Sequence, residues 1–166
     1  MTFEYCPKCG HKLEDTICGD DKCKVCPSCK KHYGSSPFPV IAALVVNENN
    51  EILLLKQNYI TTEKWTVITG YMVDGETVEE AVAREVQEET GQTSLKLKYV
   101  SSYYFEPKQL IMLGFIVYVK SSEFGKSHEV DDLKWFKLSE VDAVIARENN
   151  CSGMHFDACR EYLLRD

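Results

Sequence analysis

The sequence predicts an α/β fold, a mixed sheet between helices, entered through a short cysteine-rich module. Two observations lead there. From residue 40 onward, apolar runs of strand length alternate with segments of helical spacing, the order of a sheet covered by helices. Before residue 30, six of the eight cysteines are crowded together, four of them in two Cys-x2-Cys turns. The start of the chain is therefore organised by side-chain chemistry, and the rest by an apolar core of ordinary size for 166 residues.

Residues 1–34 are the first predicted domain. Cys6-Pro7-Lys8-Cys9 and Cys26-Pro27-Ser28-Cys29 stand sixteen residues apart, and each turn aims two thiolates at one centre. Two such turns make a closed tetrahedral S₄ site for Zn²⁺, structural because it leaves no open position for water. So short a segment buries too little apolar surface to fold alone, and the metal supplies its folding energy. Cys6, Cys9, Cys26 and Cys29 are the favoured ligands. Cys18 and Cys23 complicate the choice, since either could replace a member of the quartet, and His11 and His32 read as solvated. Ser35-Ser36-Pro37-Phe38-Pro39 is the expected linker, and residues 40–166 are the second domain.

That domain opens on a hairpin. Val40–Val46 is an apolar run fit for a buried strand, residues 47–51 are a turn cluster, and Ile52–Leu55 returns as the partner. Trp65–Thr69 leads into Gly70. After a helix at 78–90, Leu95–Tyr104 and Leu110–Lys120 read as strands rich in aromatic and branched residues. A short strand, Leu133–Lys137, precedes two helical patterns, Leu138–Arg147 and Phe156–Leu164, the first with Ser139 as a candidate cap.

The segment 70–92, GYMVDGETVEEAVAREVQEETGQ, carries the chemistry. Thr77 and Glu80 have capping-box spacing, and Gly91 is a natural helix stop. Val78, Ala81, Val82 and Val86 form an apolar stripe, while Glu85, Glu88 and Glu89 project side by side. Three adjacent carboxylates repel one another by a few tenths of a kcal/mol per pair, roughly. A cation among them turns that cost into a site, and clustered hard oxygens suit Mg²⁺ or Mn²⁺. Arg84 carries a planar fork able to clamp Glu85 or Glu76 bidentately.

The spacing of Gly70, Glu76, Arg84-Glu85, Glu88-Glu89 and Gly91 resembles the Nudix box, with Gln92 standing where the family has an apolar residue. The resemblance implies a Nudix α/β/α sandwich and hydrolysis of nucleoside diphosphate derivatives. By position, Glu85, Glu88 and Glu89 are implied as metal ligands. One of them, or a carboxylate outside the box, would be the base. Glu76 is implied as a structural partner of Arg84 or a weaker ligand. Gly70 is implied to keep a carbonyl or a close approach free beside the metal. Glu129, shortly before Trp135-Phe136, is a further candidate ligand, and His128 beside it reads as solvated.

A zinc ribbon running straight into such a domain is similar to the NADH pyrophosphatase branch of the family. That branch has a longer region before its ribbon, so a domain is expected to be missing here. Its Ser-Gln-Pro-Trp-Pro-Phe-Pro-x-Ser signature keeps only Ser101 and Pro107 in residues 101–109. Pro107 lies fifteen residues past the box (107 − 92), an offset associated with ADP-ribose pyrophosphatases. NAD(H) and ADP-ribose both remain open as substrates, with Tyr103, Tyr104, Phe105 and Tyr71 as candidates to stack on a base.

A net charge of −7 argues against broad, non-specific nucleic-acid binding. No apolar run reaches membrane-span length and no signal sequence is visible, so a cytoplasmic protein is expected. The family resemblance implies a homodimer. Lys8, Lys12, Lys22, Lys24, Lys30 and Lys31 make the ribbon locally basic, which keeps RNA contact open. Two alternatives stand beside the hydrolase reading: a housecleaning nucleoside triphosphate hydrolase, and a non-catalytic nucleotide sensor whose ribbon binds a protein or RNA. Cys151 and Cys159 receive no role.

Overall fold

A computed structural model describes residues 3–19, 21–34, 37–61, 63–125 and 127–164. The chain divides into two compact units, Met1–Phe38 and Pro39–Asp166. The first holds a three-stranded antiparallel sheet, β1 (Glu14–Cys18), β2 (Asp21–Val25) and β3 (His32–Gly34), in that order. Its core is a small cluster of Cys6, Leu13 and Cys26, with Cys29 and Tyr33 against it.

The second unit is the expected α/β structure. Its strands are β4 (Phe38–Val46), β5 (Glu51–Lys56), β6 (Ile68–Tyr71), β7 (Ser94–Phe105), β8 (Leu110–Val119) and β9 (Asp132–Lys137), and its helices are α1 (Val78–Thr90), α2 (Leu138–Val144) and α3 (Cys151–Leu163). The sheet order is β7-β8-β4-β5-β9, with β6 paired to β4. Strand alternation sends β4 side chains to two cores. Ile41, Ala43 and Val45 meet Ala81, Val82 and Val86 of α1 on one face. Leu44 and Val46 meet Val141 of α2 and Phe156 of α3 on the other. Among the described residues no helix is long and apolar enough to cross a membrane.

The β4–β5 hairpin turns as predicted. Asn47 Oδ1 accepts from the Asn49 and Glu51 amides, both at 2.9 Å, and Asn50 takes a positive φ of 57°. Helix α1 also matches: Thr77 caps it in a capping box with Glu80, and Gly91 ends it at φ 73°.

Other boundaries are corrected. Of the expected linker, Ser35 and Ser36 lie outside the described residues, and Phe38 and Pro39 already belong to β4. In the segment leading into Gly70, Trp65 and Thr66 make isolated bridges and β6 begins at Ile68. Helix α2 is capped at Lys137, whose N–H donates to the Glu140 carboxylate at 2.9 Å, rather than at Ser139. It ends at Val144 because Val144 and Ala146 bond to Trp65 backbone at 3.0 and 2.8 Å. Helix α3 starts five residues earlier than its apolar pattern, since the Asn150 side chain accepts from Ser152 N–H at 2.8 Å.

Candidate active site and cysteine cluster

Helix α1 is anchored by its apolar face and brings Arg84 and Glu85 to the end of β6, with Glu89 buried beside them and Glu88 exposed outside the cleft lining. Arg84 is the organising group. Its Nε and Nη2 reach Glu76 Oε2 and Oε1 at 3.0 and 2.8 Å, a bidentate pair. Nη1 donates to Glu85 Oε1 at 2.7 Å and to Glu88 Oε2 at 3.2 Å, and Nη2 also donates to the Tyr71 carbonyl at 3.1 Å. One guanidinium thus fixes three carboxylates and the strand that faces them. Hydrogen bonds from Arg84 and then the Val73 amide hold Glu76 below the usual carboxylate range. Both of its oxygens are occupied by Arg84.

Glu89 is in the opposite condition. It is only 6% exposed. Its Oε1 accepts from Gln57 Nε2 at 3.1 Å, and its buried Oε2 has no partner. Burial, followed by the Glu85 charge, pushes its pKa up to about 8. Burial also raises Glu85, against the pull of Arg84. A buried carboxylate with one bare oxygen is costly, and either a proton or a cation can remove the cost. Gly70 leaves the room: a Cβ there would lie 2.0 Å from the Glu85 carboxyl carbon and 2.1 Å from its Oε1. The close approach expected of Gly70 is therefore to Glu85. Gly70→Ala is expected to keep the fold, because the Glu85 side chain from Cγ outward and not backbone must yield, yet to lower kcat roughly 100-fold by misplacing Glu85. Thermal melting beside steady-state kinetics checks this, and unchanged kcat would refute it.

The carboxylates open onto a cleft of about 1050 Å³ lined by Glu85, Glu89, Glu129, Gly70 and Tyr71. Apolar residues, Val40, Leu110, Met112, Ile145 and Ala146, also line it, together with the cationic Lys64, Lys108 and Arg147. Among the described residues, only the four cysteines form a group of three or more His, Cys, Asp or Glu side chains with ligand atoms all within 4.8 Å of one another. The wider spread of the carboxylates suits an ion that keeps several waters and binds through one or two protein oxygens plus substrate phosphate.

Of the four aromatic candidates, the structure brings only Tyr71 to the cleft, where the residue is 57% exposed. Phe105 is in the core with Val40, Ala42, Leu110 and Met112. Tyr103 lies against the same cluster, its ring stacked near His155 at 6.3 Å. Tyr104, on the alternate face of β7, is 52% exposed but outside the cleft lining. The wall comes instead from β8, through Leu110 and Met112. Sequence reading also missed Gln57, Tyr59 and the α2–α3 connection. Gln57 had a signal: it is the uncharged amide closing the EILLLKQ run. His128 is exposed, 3.9 Å from Glu129.

In the first unit Cys6, Cys9, Cys26 and Cys29 converge, with Cys6 Sγ 3.6 Å from Cys29 Sγ and Cys9 Sγ 3.4 Å from Cys26 Sγ. A tetrahedral S₄ zinc site with Zn–S near 2.3 Å requires sulfur separations of about 3.8 Å. Backbone hydrogen bonding, led by Cys29 N–H, lowers the Cys26 pKa, which favours the thiolate a metal needs. Cys18 and Cys23 do not join; they form a disulfide across the β1–β2 hairpin.

The NUDIX domain family signature matches residues 37–153, and the chain belongs to this family. Among curated relatives, the NAD-capped RNA hydrolase NudC of Vibrio parahaemolyticus is 30% identical over 145 residues, covering 87% of this chain and 55% of the relative. The chain spans about half the length of the NudC relatives it matches. A NUDIX hydrolase from Nitrosomonas europaea has a similar fold, with TM-score 0.75 at 22% identity, over 98% of this chain and 92% of that one. The NUDIX domain of Shewanella oneidensis NrtR, solved with ADP ribose, superposes with TM-score 0.67 at 15% identity, over 78% and 90% of the two chains.

Proposed function

We propose that the chain is a metal-dependent pyrophosphohydrolase that cleaves the diphosphate of an ADP-containing dinucleotide such as NAD(H) or ADP-ribose. The observation that carries this is the half-satisfied, buried Glu89 beside Glu85 in the lining of a cleft large enough for a dinucleotide. Glu85, Glu88, Glu89 and Glu129 would hold Mg²⁺ or Mn²⁺, with Gly70 leaving the approach clear. Bound there, the cation supplies the positive charge a diphosphate needs in an acidic cleft, Lewis acidity at phosphorus and a water of lowered pKa.

The chain's own residues do the rest. Arg84 holds Glu85 and Glu88 in place and takes Glu76 out of the chemistry. One carboxylate of the cluster accepts the proton of the attacking water. Water adds to one phosphorus, the anhydride P–O bond breaks, and two phosphomonoesters leave. Tyr71 and the apolar wall of Val40, Leu110 and Met112 offer surfaces for a base. The thiol quartet would hold Zn²⁺ as a structural ion. The curated relatives named NAD-capped RNA hydrolase support including a capped RNA end among the substrates, since the same bond is cut.

The test is hydrolysis with Mg²⁺ or Mn²⁺ of NADH, NAD⁺, ADP-ribose, NAD-capped RNA, diadenosine polyphosphates and nucleoside triphosphates, beside Glu88→Gln. Dinucleotide cleavage that disappears in the variant is the expected result. Preference for a triphosphate would move the reading to a housecleaning hydrolase, and no turnover of any compound would overturn it.

A further inference from the structure

Gln92 is the one position where the box departs from the family pattern, and it is fully buried, at 0% exposure. Its Nε2 donates to the carbonyls of Thr90, Ser122 and Glu123 at 3.4, 3.3 and 3.4 Å. Its Oε1 accepts from the Ser122 amide at 3.0 Å and the Ser122 hydroxyl at 3.3 Å. Only a side chain that both donates and accepts can satisfy this set. An apolar residue would leave all of these bonds to the 122–123 backbone unmade, while a glutamate would aim an anion at carbonyl oxygens.

The bonds cross from the end of α1 to the segment after β8. Gly125 N–H adds a bond to the Thr90 carbonyl at 3.0 Å, and the two backbones are so close that a Cβ on Gly91 would lie 2.5 Å from Gly125 N. Downstream, Asp131 N–H bonds the Lys56 carbonyl at 2.9 Å and the Asp131 carboxylate accepts from Asn58 N–H at 2.6 Å. Glu129 stands between these two anchorages and lines the cleft.

We propose that Gln92 is a positioning residue: its amide fastens residues 121–125 to the end of α1 and so sets where Glu129 stands relative to Glu85 and Glu89. Metal affinity then depends on a side chain that touches neither metal nor substrate. The inference rests on the metal-site reading above, including the part given to Glu129.

The experiment compares Gln92→Met, of similar volume, with Glu129→Gln and with the double variant. Mn²⁺ is titrated by electron paramagnetic resonance without substrate, and amide hydrogen exchange is followed over α1 and residues 121–131. Gln92→Met is expected to weaken Mn²⁺ binding roughly tenfold, the size of effect seen when a ligand's supporting partner is lost. Exchange should rise in 121–131 while α1 stays protected, and the double variant should bind no more weakly than Glu129→Gln alone. Additive losses, or Mn²⁺ binding by Gln92→Met equal to wild type while Glu129→Gln is weakened, would overturn the inference. Wild-type binding by Glu129→Gln would instead remove Glu129 from the metal site, and the inference with it. If Gln92→Met does not fold, Ser122→Ala, which removes one donor from the same network, replaces it in the comparison.

Discussion

Glu89→Gln is expected to lower kcat for diphosphate hydrolysis by about 10³-fold, equivalent to roughly 4 kcal/mol of transition-state stabilisation, while making the metal-free protein more stable. The two effects have one cause. Glu89 is buried with a bare oxygen, an arrangement that costs stability when the carboxylate is charged and unpartnered. A glutamine keeps the bond from Gln57 and carries no charge to desolvate. The pH dependence follows from the raised pKa, from the ordinary 4.5 to about 8. A folded-state pKa above the unfolded value means the native protein binds the extra proton. That contribution is fully present below pH 4.5 and is lost as pH rises through about 8. The melting temperature of chelator-treated wild type should therefore fall, relative to Glu89→Gln, across this window. Parallel melting curves for the two proteins from pH 5 to 8 would show that Glu89 is not held as the structure places it.

What the sequence revealed of this site divides by range. The α1 helix was legible end to end because its signals are local: Thr77 caps, Glu80 closes the box, Gly91 stops, and Ala81, Val82 and Val86 repeat at helical spacing. The Arg84 clamp on Glu76 was legible for the same reason. The different fates of three neighbouring glutamates were not. Glu88 faces outward, whereas Glu89 is buried against Gln57, 32 residues away, and nothing within the box specifies that contact. The aromatic run 103–105 failed for a related reason. Alternation along a strand says that its residues point to opposite faces, but not which face borders the ligand cleft. Packing of α3 against β7 decides that, and it leaves the cleft wall to β8. The early start of α3 was hidden too, because the cap at Asn150 precedes a turn with little apolar patterning.

The remaining large effect lies in the first unit, where Cys26→Ser is expected to abolish the fold of the ribbon. Among the described residues, its buried apolar cluster consists of Leu13, Cys6 and Cys26, with Cys29 and Tyr33 partly covered beside them. Burying a leucine is worth about 2–3 kcal/mol, far less than the entropy of ordering some thirty residues at about 1–2 kcal/mol each for the backbone. A metal in the quartet would supply the folding energy that so small a core lacks. Cys26 is 0% exposed, so no water-borne ligand substitutes easily for its sulfur. Elemental analysis should find about one zinc per chain in the wild type, the stoichiometry of a closed S₄ site, and almost none in Cys26→Ser. Limited proteolysis should then remove residues before β4 while the second unit keeps its cooperative melting. Cys18→Ser should retain its zinc, because its sulfur stands outside the quartet. Zinc retained in Cys26→Ser, or lost in Cys18→Ser, would show that the ligand set is not the one the converging thiols define.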